Sequence, residues 1–314
     1  MRQDRSTFIG GPVIDRCHLD RDDPAANAAR WADPGAVLLR IGPRGEAAVT
    51  GDPARLAADR PSGRRDPQRQ LLIGTVAGRP WFVTRAVPVA GPGRRIESLR
   101  GSDLPPAQRE IVWAGMAALN WHEFAPVCPR CHAGTRVGEG GLSRICTACG
   151  TVVFPRTDPA VICAVLDDRD RIVLGRQHAW EPGRVSVLAG FVEAGEAAEH
   201  ALVREVAEET ALRVTAARYV SSQPWPFPRS LMLGYVARAE GDISPVDHEL
   251  AEADRYSRDQ VRDLVAAGTL ILPSPMSIAR SLIEAWLADR LPVPESGADL
   301  SVPLGAALPE PGQP

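Results

Sequence analysis

The sequence predicts an α+β protein in which a mixed α/β N-terminal region and a larger C-terminal region flank a short cysteine-rich segment. Between residues 36 and 89, runs rich in Val and Ile alternate with Gly, Pro and charged residues, a pattern typical of short strands. Two Cys-x-x-Cys pairs follow within residues 128–149. Beyond them, strand-like runs surround a helix-forming stretch, which indicates helices packed against a mixed sheet.

Composition limits the classes of protein to which the chain can belong. With 314 residues and a net charge of −3, it is long enough for two domains and a small module and predicts no extended nucleic-acid surface. No apolar run approaches the roughly twenty residues that span a bilayer, and the first sixteen residues lack the apolar segment of a signal peptide. We therefore expect a cytoplasmic protein without a membrane contact. All 36 basic residues are arginine, which excludes a P-loop lysine and Schiff-base chemistry.

The N-terminal region reads as a polar, mobile segment, a sheet and a helix. Residues 1 to about 25 are polar, and the runs AVLLRIG, LLIGTVAG and WFVTRAVPV then predict a small antiparallel sheet. The stretch from Pro106 to Phe124 predicts a helix that starts after Asp103 and a pair of prolines. Its apolar residues are bunched on part of the surface, which favours core packing.

The two Cys-x-x-Cys pairs predict a structural zinc site. Their ligands are Cys128, Cys131, Cys146 and Cys149, with fourteen residues between the pairs, the spacing of a zinc ribbon. Disulfides would be unusual in a cytosolic chain, and a redox pair would not need a second copy. Four thiolates leave no open position on zinc, so this metal would not be catalytic. Cys163 lies in the apolar run AVICAVL and is expected to be an inert core thiol.

The C-terminal region predicts strands around a central helix. We expect strands at Ala160–Leu166 and Ile172–Leu174, a third at Ser186–Ala189, and others at Val214–Ser221, Leu231–Arg238 and around Glu249. From Glu196 the stretch AAEHALVREVAEE lacks Pro and Gly and has strong helix composition. A terminal amphipathic helix is expected over Pro275–Leu287, followed from Pro292 by a disordered tail.

Three glutamates of the central helix share one face, which points to a divalent cation. Glu205, Glu208 and Glu209 stand at positions i, i+3 and i+4. Like charges on one face repel, so the arrangement gains nothing for a purely structural helix, whereas Mg²⁺ or Mn²⁺ prefers carboxylate oxygens. The alternative is a solvated acidic face, the usual fate of a Glu-rich stretch.

The spacing of this stretch resembles the Nudix box. Gly190 is followed by five residues, Glu196, seven residues and then Arg204-Glu205-Val206-Ala207-Glu208-Glu209. Only the last glycine of the box departs, because Ala211 stands there; this implies a different helix cap or a small energetic cost. The resemblance implies a Nudix α/β/α sandwich that hydrolyses a nucleoside diphosphate linked to another group. We expect Arg204 and Glu196 to tie the helix to its loop by an ion pair.

A second motif, Ser-Gln-Pro-Trp-Pro-Phe-Pro at residues 222–228, resembles the segment that marks the NADH pyrophosphatase branch of the Nudix family. The preceding zinc ribbon supports this branch. The resemblance implies hydrolysis of NADH or NAD⁺ to (reduced) nicotinamide mononucleotide and AMP, removal of NAD caps from RNA, and a homodimer. Prolines restrict the backbone, so Trp225 and Phe227 would offer rigid faces on which a base can stack. The alternative is a connecting loop whose aromatic rings only fill the core.

The resemblance also implies the residues of the site. The catalytic residues would be Glu205, Glu208 and Glu209, with the Ala189 carbonyl and Glu249 as further ligands of Mg²⁺ or Mn²⁺. The substrate-binding residues would be Arg100, Phe154, Gln223, Pro224, Trp225, Pro226, Phe227, Pro228, Arg229, Ser230 and Ala279.

These expectations divide the chain into four parts. Residues 1–125 form an N-terminal domain, 126–155 the zinc ribbon, 156–290 the Nudix domain and 291–314 a disordered tail. Two other functions remain open at this point. The chain could be a Nudix hydrolase of ADP-ribose or another dinucleotide, or a zinc-ribbon nucleic-acid-binding protein. The intact acidic helix and the near-neutral charge argue against the second.

Overall fold

The computed structural model describes residues 13–244 and 249–294, which fall into two compact units. The N-terminal unit contains the described residues up to Asp158 together with Pro224–Leu231. The C-terminal unit contains Pro159–Gln223 and the described residues from Met232 onward. The domain boundaries expected from the sequence stay predictions.

The N-terminal unit contains two helices, two sheets and a three-stranded ribbon. Its elements are β1 (Ile14–Asp15), α1 (Pro24–Ala32), β2 (Val37–Ile41), β3 (Glu46–Thr50), β4 (Arg55–Leu56), β5 (Gln70–Val76), β6 (Arg79–Arg85), β7 (Arg94–Ser98), α2 (Pro106–Phe124), β8 (Thr135–Val137), β9 (Arg144–Cys146) and β10 (Val152–Val153). The strand orders are β1-β5-β6-β2, β4-β3-β7 and β10-β9-β8.

The expectation of one small antiparallel sheet is wrong in two respects. The strands of residues 36–89 divide between two sheets, and β2 runs parallel to β6, with Val37 opposite Trp81. The hydrophobic pattern of one strand carries no information about the direction of a neighbour reached through three intervening strands. The first residues also differ from expectation: β1 and the start of α1 lie within the segment expected to be mobile. Residues 1–12 lie outside the described residues.

Helix α2 has the predicted bounds and forms the core of the N-terminal unit. It begins at a proline, which suits the first helical position because that N–H would lack a helical partner. Its Val112 and Met116 are buried with Ile41 and Val83 of the sheet. A Cβ at Gly115 would come within 3.2 Å of the Val83 side chain, so the missing side chain lets the helix approach the sheet closely.

The C-terminal unit is built around a six-stranded sheet. Its elements are β11 (Asp158–Leu166), β12 (Ile172–Gln177), β13 (Leu188–Phe191), α3 (Ala198–Thr210), β14 (Arg213–Trp225), β15 (Ser230–Glu240), β16 (Leu250–Tyr256), α4 (Arg258–Ala266) and α5 (Ile278–Leu287). The order is β14-β15-β11-β12-β16, and β13 pairs with β11. The predicted strands and the terminal helix are present, although the strand expected from Ser186 begins at Leu188. Of the predicted tail, residues 295–314 lie outside the described part.

The core of this unit joins the sheet to helix α3. Val161 and Cys163 of β11 are buried with Leu202 and Val206 of α3. Burial raises the pKa of the Cys163 thiol, so it stays protonated and unreactive, as expected.

None of the helices in the described residues combines the length and the apolar character needed to cross a membrane.

Candidate functional site

Helix α3 carries the acidic cluster predicted from the sequence. It spans Ala198–Thr210 and ends at Ala211, whose φ of 61° and ψ of 8° lie in the left-handed region. The helix therefore ends in the left-handed cap in which glycine is usual, although the residue here is alanine. Of the two outcomes expected for this position, a different cap or a small energetic cost, the structure shows the second.

Gly190 brings strand β13 against the carboxylate of Glu205. A Cβ built on Gly190 would overlap the Glu205 carboxyl group, so only glycine lets this side chain lie flat on the strand. Gly190 itself pairs with Val161 of β11, and its neighbour Ala189 pairs with Ile162. The predicted ligand Ala189 thus lies on the strand directly beside the Glu205 carboxylate. The sequence placed Gly190 in the motif but gave no reason for its identity.

Arg204 organises three of the carboxylates. Its guanidinium lies 2.8 Å from both oxygens of Glu196 and 2.9 Å from oxygens of Glu205 and Glu208. It also donates to the Phe191 carbonyl at 2.9 Å. The predicted ion pair between Arg204 and Glu196 is confirmed. Hydrogen bonds from Arg204 and from the Glu193 backbone lower the pKa of Glu196 to about 2, so the loop before α3 keeps a charged anchor for Arg204.

Negative charge accumulates around Glu205. Burial raises the pKa of Glu205, Arg204 opposes this shift, and the charges of Glu208 and Glu249 add to it. Glu209 is 2% exposed on the same helix. Partly desolvated carboxylates of like charge are costly in the absence of a cation, and oxygen donors suit a hard divalent cation. The donor set therefore fits such an ion, and Glu249 lies close enough for its charge to act on Glu205.

The four predicted cysteines converge. Among the described residues, they are the one group of three or more Cys, His, Asp or Glu whose ligand atoms lie within 4.8 Å of one another. Hydrogen bonds from Thr151 lower the pKa of Cys149 to about 6, and the backbone N–H groups of Cys149 and Ala148 lower the pKa of Cys146. At Cys146 and Cys149 these contacts favour the thiolate, which is the form that binds a metal. At Cys131 a backbone hydrogen bond at Ala133 lowers the pKa, but hydrogen bonds with Cys146 and Cys149 raise it to about 12. The cluster fits a tetrahedral metal site.

The ribbon is fastened to the sheets of its own unit through the turn at residues 138–141. Arg65 pairs with Glu139 at 2.5 Å, and the buried Arg21 donates to the Gly140 carbonyl at 2.8 Å. His122 of α2 lies 2.9 Å from the Gly141 carbonyl. These contacts connect the ribbon to the rest of the N-terminal unit.

The proline-rich motif forms the tip of the β14–β15 hairpin, and this tip groups with the N-terminal unit. The rings of Trp225 and Phe227 meet edge to face, with centroids 5.2 Å apart. The guanidinium carbon of Arg100 lies 5.9 Å from each ring centroid. The structure thus brings together three residues that the sequence assigned to substrate binding.

Phe227 and Trp225 differ in their surroundings. Phe227 packs against the core cluster around α2 and faces Gly45, which has a φ of 75°. The core-filling interpretation is therefore correct for part of the Phe227 ring. Trp225 is half-buried, with the Arg100 guanidinium over its ring.

Gln223 is a buried clamp within the C-terminal unit. Its side-chain amide donates to the Met276 carbonyl at 2.6 Å and accepts from the Ile278 N–H at 2.7 Å. It thereby fixes the start of α5, next to the predicted contact Ala279. The sequence motif indicated Gln223 as a substrate ligand, and the long-range partners that the structure shows could not be read from it.

The other predicted substrate residues of the N-terminal unit are Phe154 and the remaining residues of the hairpin tip. Phe154 is 69% exposed just after β10. Arg229 pairs with Asp158 at 2.7 Å, and Asp158 also pairs with Arg156 at 2.6 Å, so two guanidinium groups share one carboxylate. Pro226 is buried, whereas Pro224 and Pro228 are exposed and Ser230 begins β15.

Comparison with known proteins places these features in a family. Residues 156–272 match the NUDIX domain family. The chain is 42% identical over 291 residues to the NAD-capped RNA hydrolase NudC of Mycobacterium bovis, covering 87% of this chain and 92% of the relative. It is 41% identical over the same shares to the protein of that name from Mycobacterium tuberculosis. The human NAD-capped RNA hydrolase NUDT12 is 37% identical over 56% of this chain and 41% of its own length.

Proposed function

Because this chain belongs to the NudC family of Nudix hydrolases, we propose that it hydrolyses the pyrophosphate bond of NADH and NAD⁺. Water adds to one phosphorus and the P–O–P bond breaks, which releases nicotinamide mononucleotide, reduced when NADH is the substrate, and AMP. We propose the same cleavage at the NAD cap of RNA, since the relatives are named for it. The observation that carries the proposal is the set of carboxylates on α3, with Glu205 seated against Gly190.

Glu205, Glu209 and Glu249 would hold the divalent cation, supported by Glu208 and the Ala189 carbonyl. The ion would be Mg²⁺ or Mn²⁺, because hard oxygen donors suit both. When bound, it would supply positive charge to neutralise the diphosphate, orient the attacking water and stabilise the leaving oxygen.

The protein's own residues position this machinery. Arg204 holds Glu205 and Glu208 by hydrogen bonds of 2.9 Å while Glu196 anchors it from the loop. Gly190 sets the distance between β13 and α3. Arg204 thus acts as support, and its charge also reduces the repulsion among the carboxylates.

Recognition of the dinucleotide is proposed for the aromatic tip. Trp225 would stack on a base and Arg100 would provide positive charge beside it. Phe154, an exposed aromatic ring, is a second stacking candidate. Gln223 would act by fixing the start of α5 and thereby the Ala279 backbone. The tip residues Pro224, Pro226, Phe227, Pro228, Arg229 and Ser230 would shape the binding segment.

The cysteine cluster is proposed to hold a structural zinc ion. Its four ligands leave no open position for substrate.

A homodimer is proposed from the family resemblance, and the mass in solution measured by light scattering tests it.

A product assay tests the proposed function. The purified protein is incubated with Mg²⁺ or Mn²⁺ and, in parallel, NADH, NAD⁺, ADP-ribose and NAD-capped RNA. We expect nicotinamide mononucleotide, in its reduced form from NADH, and AMP from the free dinucleotides, and RNA with a 5′-monophosphate from the capped RNA. Preferred cleavage of ADP-ribose would favour the alternative dinucleotide hydrolase. Binding of RNA without cleavage of any of the four would favour the nucleic-acid-binding alternative.

A further inference from the structure

Asn120 of α2 contacts the aromatic hairpin tip in a way that the sequence motif did not indicate. Its side-chain nitrogen donates to the Pro226 carbonyl at 2.8 Å and to the Pro228 carbonyl at 3.0 Å. These two prolines flank Phe227 and lie one and three residues after Trp225. Both partners belong to the N-terminal unit.

The tip needs such a donor because its own sequence supplies few. Three of the five residues from 224 to 228 are prolines, which have no N–H. Within the turn, the Phe227 N–H donates to the Trp225 carbonyl at 2.8 Å. A primary amide can donate two hydrogen bonds from one nitrogen, so the side chain of Asn120 satisfies both proline carbonyls.

The side-chain oxygen of Asn120 fixes the orientation of the amide group. Its oxygen accepts from Arg85 at 2.7 Å. A flipped amide would face Arg85 with a donor and both carbonyls with an acceptor, so one orientation alone satisfies all three contacts. Arg85 is itself held by both oxygens of Glu123 at 2.6 and 3.0 Å and by the Gly42 carbonyl at 2.9 Å.

The hydrogen-bond network around Asn120 also reaches the loop that contacts the aromatic rings of the tip. Gly42 begins the turn between β2 and β3, and Gly45 in that turn faces Phe227. Phe227 packs against the core, whereas the ring contacts of Trp225 are with Phe227 and Arg100 at the tip itself. Fixing the carbonyls on either side of Phe227 therefore fixes the direction in which Trp225 points.

We propose that Asn120 is a positioning residue for substrate recognition, which holds the tip so that Trp225 is ready to stack on a base of the dinucleotide. This inference rests on the proposed function. A base that binds a pre-ordered ring loses less free energy to ordering than one that binds a mobile ring. Asn120 should consequently affect KM much more than kcat.

Amide hydrogen exchange and NADH kinetics test this role together. The variants are Asn120→Ala and the isosteric Asn120→Asp, which loses both donors. Gln108→Ala is the matched control, because Gln108 is an amide of the same helix that accepts from the Leu56 N–H at 2.7 Å, away from the tip. We expect faster exchange at the amides of Trp225, Phe227, Arg229 and Ser230 in both Asn120 variants and not in the control. We expect KM for NADH to rise about five- to tenfold, with kcat within about twofold.

A double-mutant cycle shows whether Asn120 acts through Trp225. If it does, Asn120→Ala should have little further effect on kcat/KM in a Trp225→Ala background, because coupled residues are not additive. Losses that multiply, or exchange at the tip equal to wild type in the Asn120 variants, would overturn the inference. A wild-type protein without NADH turnover would instead refute the proposed function, and hydrogen exchange would still decide whether Asn120 holds the tip.

Discussion

The carboxylate of Glu205 occupies the space in which a side chain at Gly190 would have to begin. This carboxylate and the strand backbone are therefore in contact without an intervening methyl group. The relationship gives the first residue of the Nudix box a physical reason: it lets α3 place its acids directly on β13.

Replacing Gly190 by alanine should separate activity from stability. The new methyl group has to displace Glu205, and activity should fall by roughly 10- to 100-fold, the range seen when the support of a metal ligand is lost. Turnover and thermal unfolding are measured together. Gly91→Ala is the control, because a Cβ there meets nothing within 4 Å. Equal activity of the two variants would show that the position of Glu205 is unimportant.

Replacing Ala211 by glycine tests the left-handed cap of α3 through the stability of the protein. A left-handed backbone conformation costs a non-glycine residue about 1–2 kcal/mol. Glycine avoids this cost, but part of the gain in stability is lost because glycine gives the unfolded chain more conformational freedom. We expect Ala211→Gly to raise the free energy of unfolding by about 1 kcal/mol and to leave catalysis unchanged. Ala207→Gly, inside the same helix, should lower it by about 1 kcal/mol. Chemical denaturation checks both signs, and a destabilised Ala211→Gly variant would contradict the cap.

The four cysteines should behave as one folding element. Cys131→Ser should lower the zinc content and the melting temperature together, because metal binding and folding are coupled. Cys17→Ser, which changes a cysteine outside the cluster, should keep the zinc. Elemental analysis of the purified proteins gives the stoichiometry. Wild-type protein without zinc would show that the assignment of the metal is wrong.

His122 should make the N-terminal unit sensitive to acid. Burial lowers the pKa of His122, the hydrogen bond to Gly141 opposes the shift, and the charge of Arg144 adds to it. A histidine with a lowered pKa contributes stability that is present above its unfolded value of about 6.5 and is lost as the pH falls. We expect stability to decline more steeply below pH 6.5 in wild type than in His122→Gln. Denaturation at pH 7.5 and pH 5.5 measures this difference, and parallel declines would exclude His122.

Local sequence signals predicted much of this fold. Helix α2 has the predicted bounds, and α3, α5 and the cysteine cluster lie where composition and spacing placed them. Helices α1 and α4 were not predicted from the sequence, although both begin with a capping signal. Asp23 caps α1 ahead of Pro24, and Ser257 and Gln260 form a capping box at the start of α4. Both helices have only nine residues, and their caps are the sequence signals that mark where they begin.

Other features depend on residues far apart in the chain and could not be predicted. The parallel pairing of β2 with β6 follows from the whole sheet. Asn120 contacts the hairpin tip across 106 residues, and the amide of Gln223 finds its partners 53 and 55 residues away. The motif around Trp225 indicated candidate residues for substrate binding, whereas the structure shows which contacts hold them in place.

Hydrolysis of NADH by Glu209→Gln tests the central claim most directly. The substitution keeps the shape of the side chain and removes a charge and a proposed metal ligand from a buried position of α3. At saturating Mn²⁺ we expect a fold equal to wild type and turnover lower by about 10² or more. Glu199→Gln, on the same helix and bonded to Tyr235 at 3.2 Å, should keep most of the activity. Near-wild-type formation of AMP and reduced nicotinamide mononucleotide by Glu209→Gln would contradict the assignment of this helix as the catalytic centre.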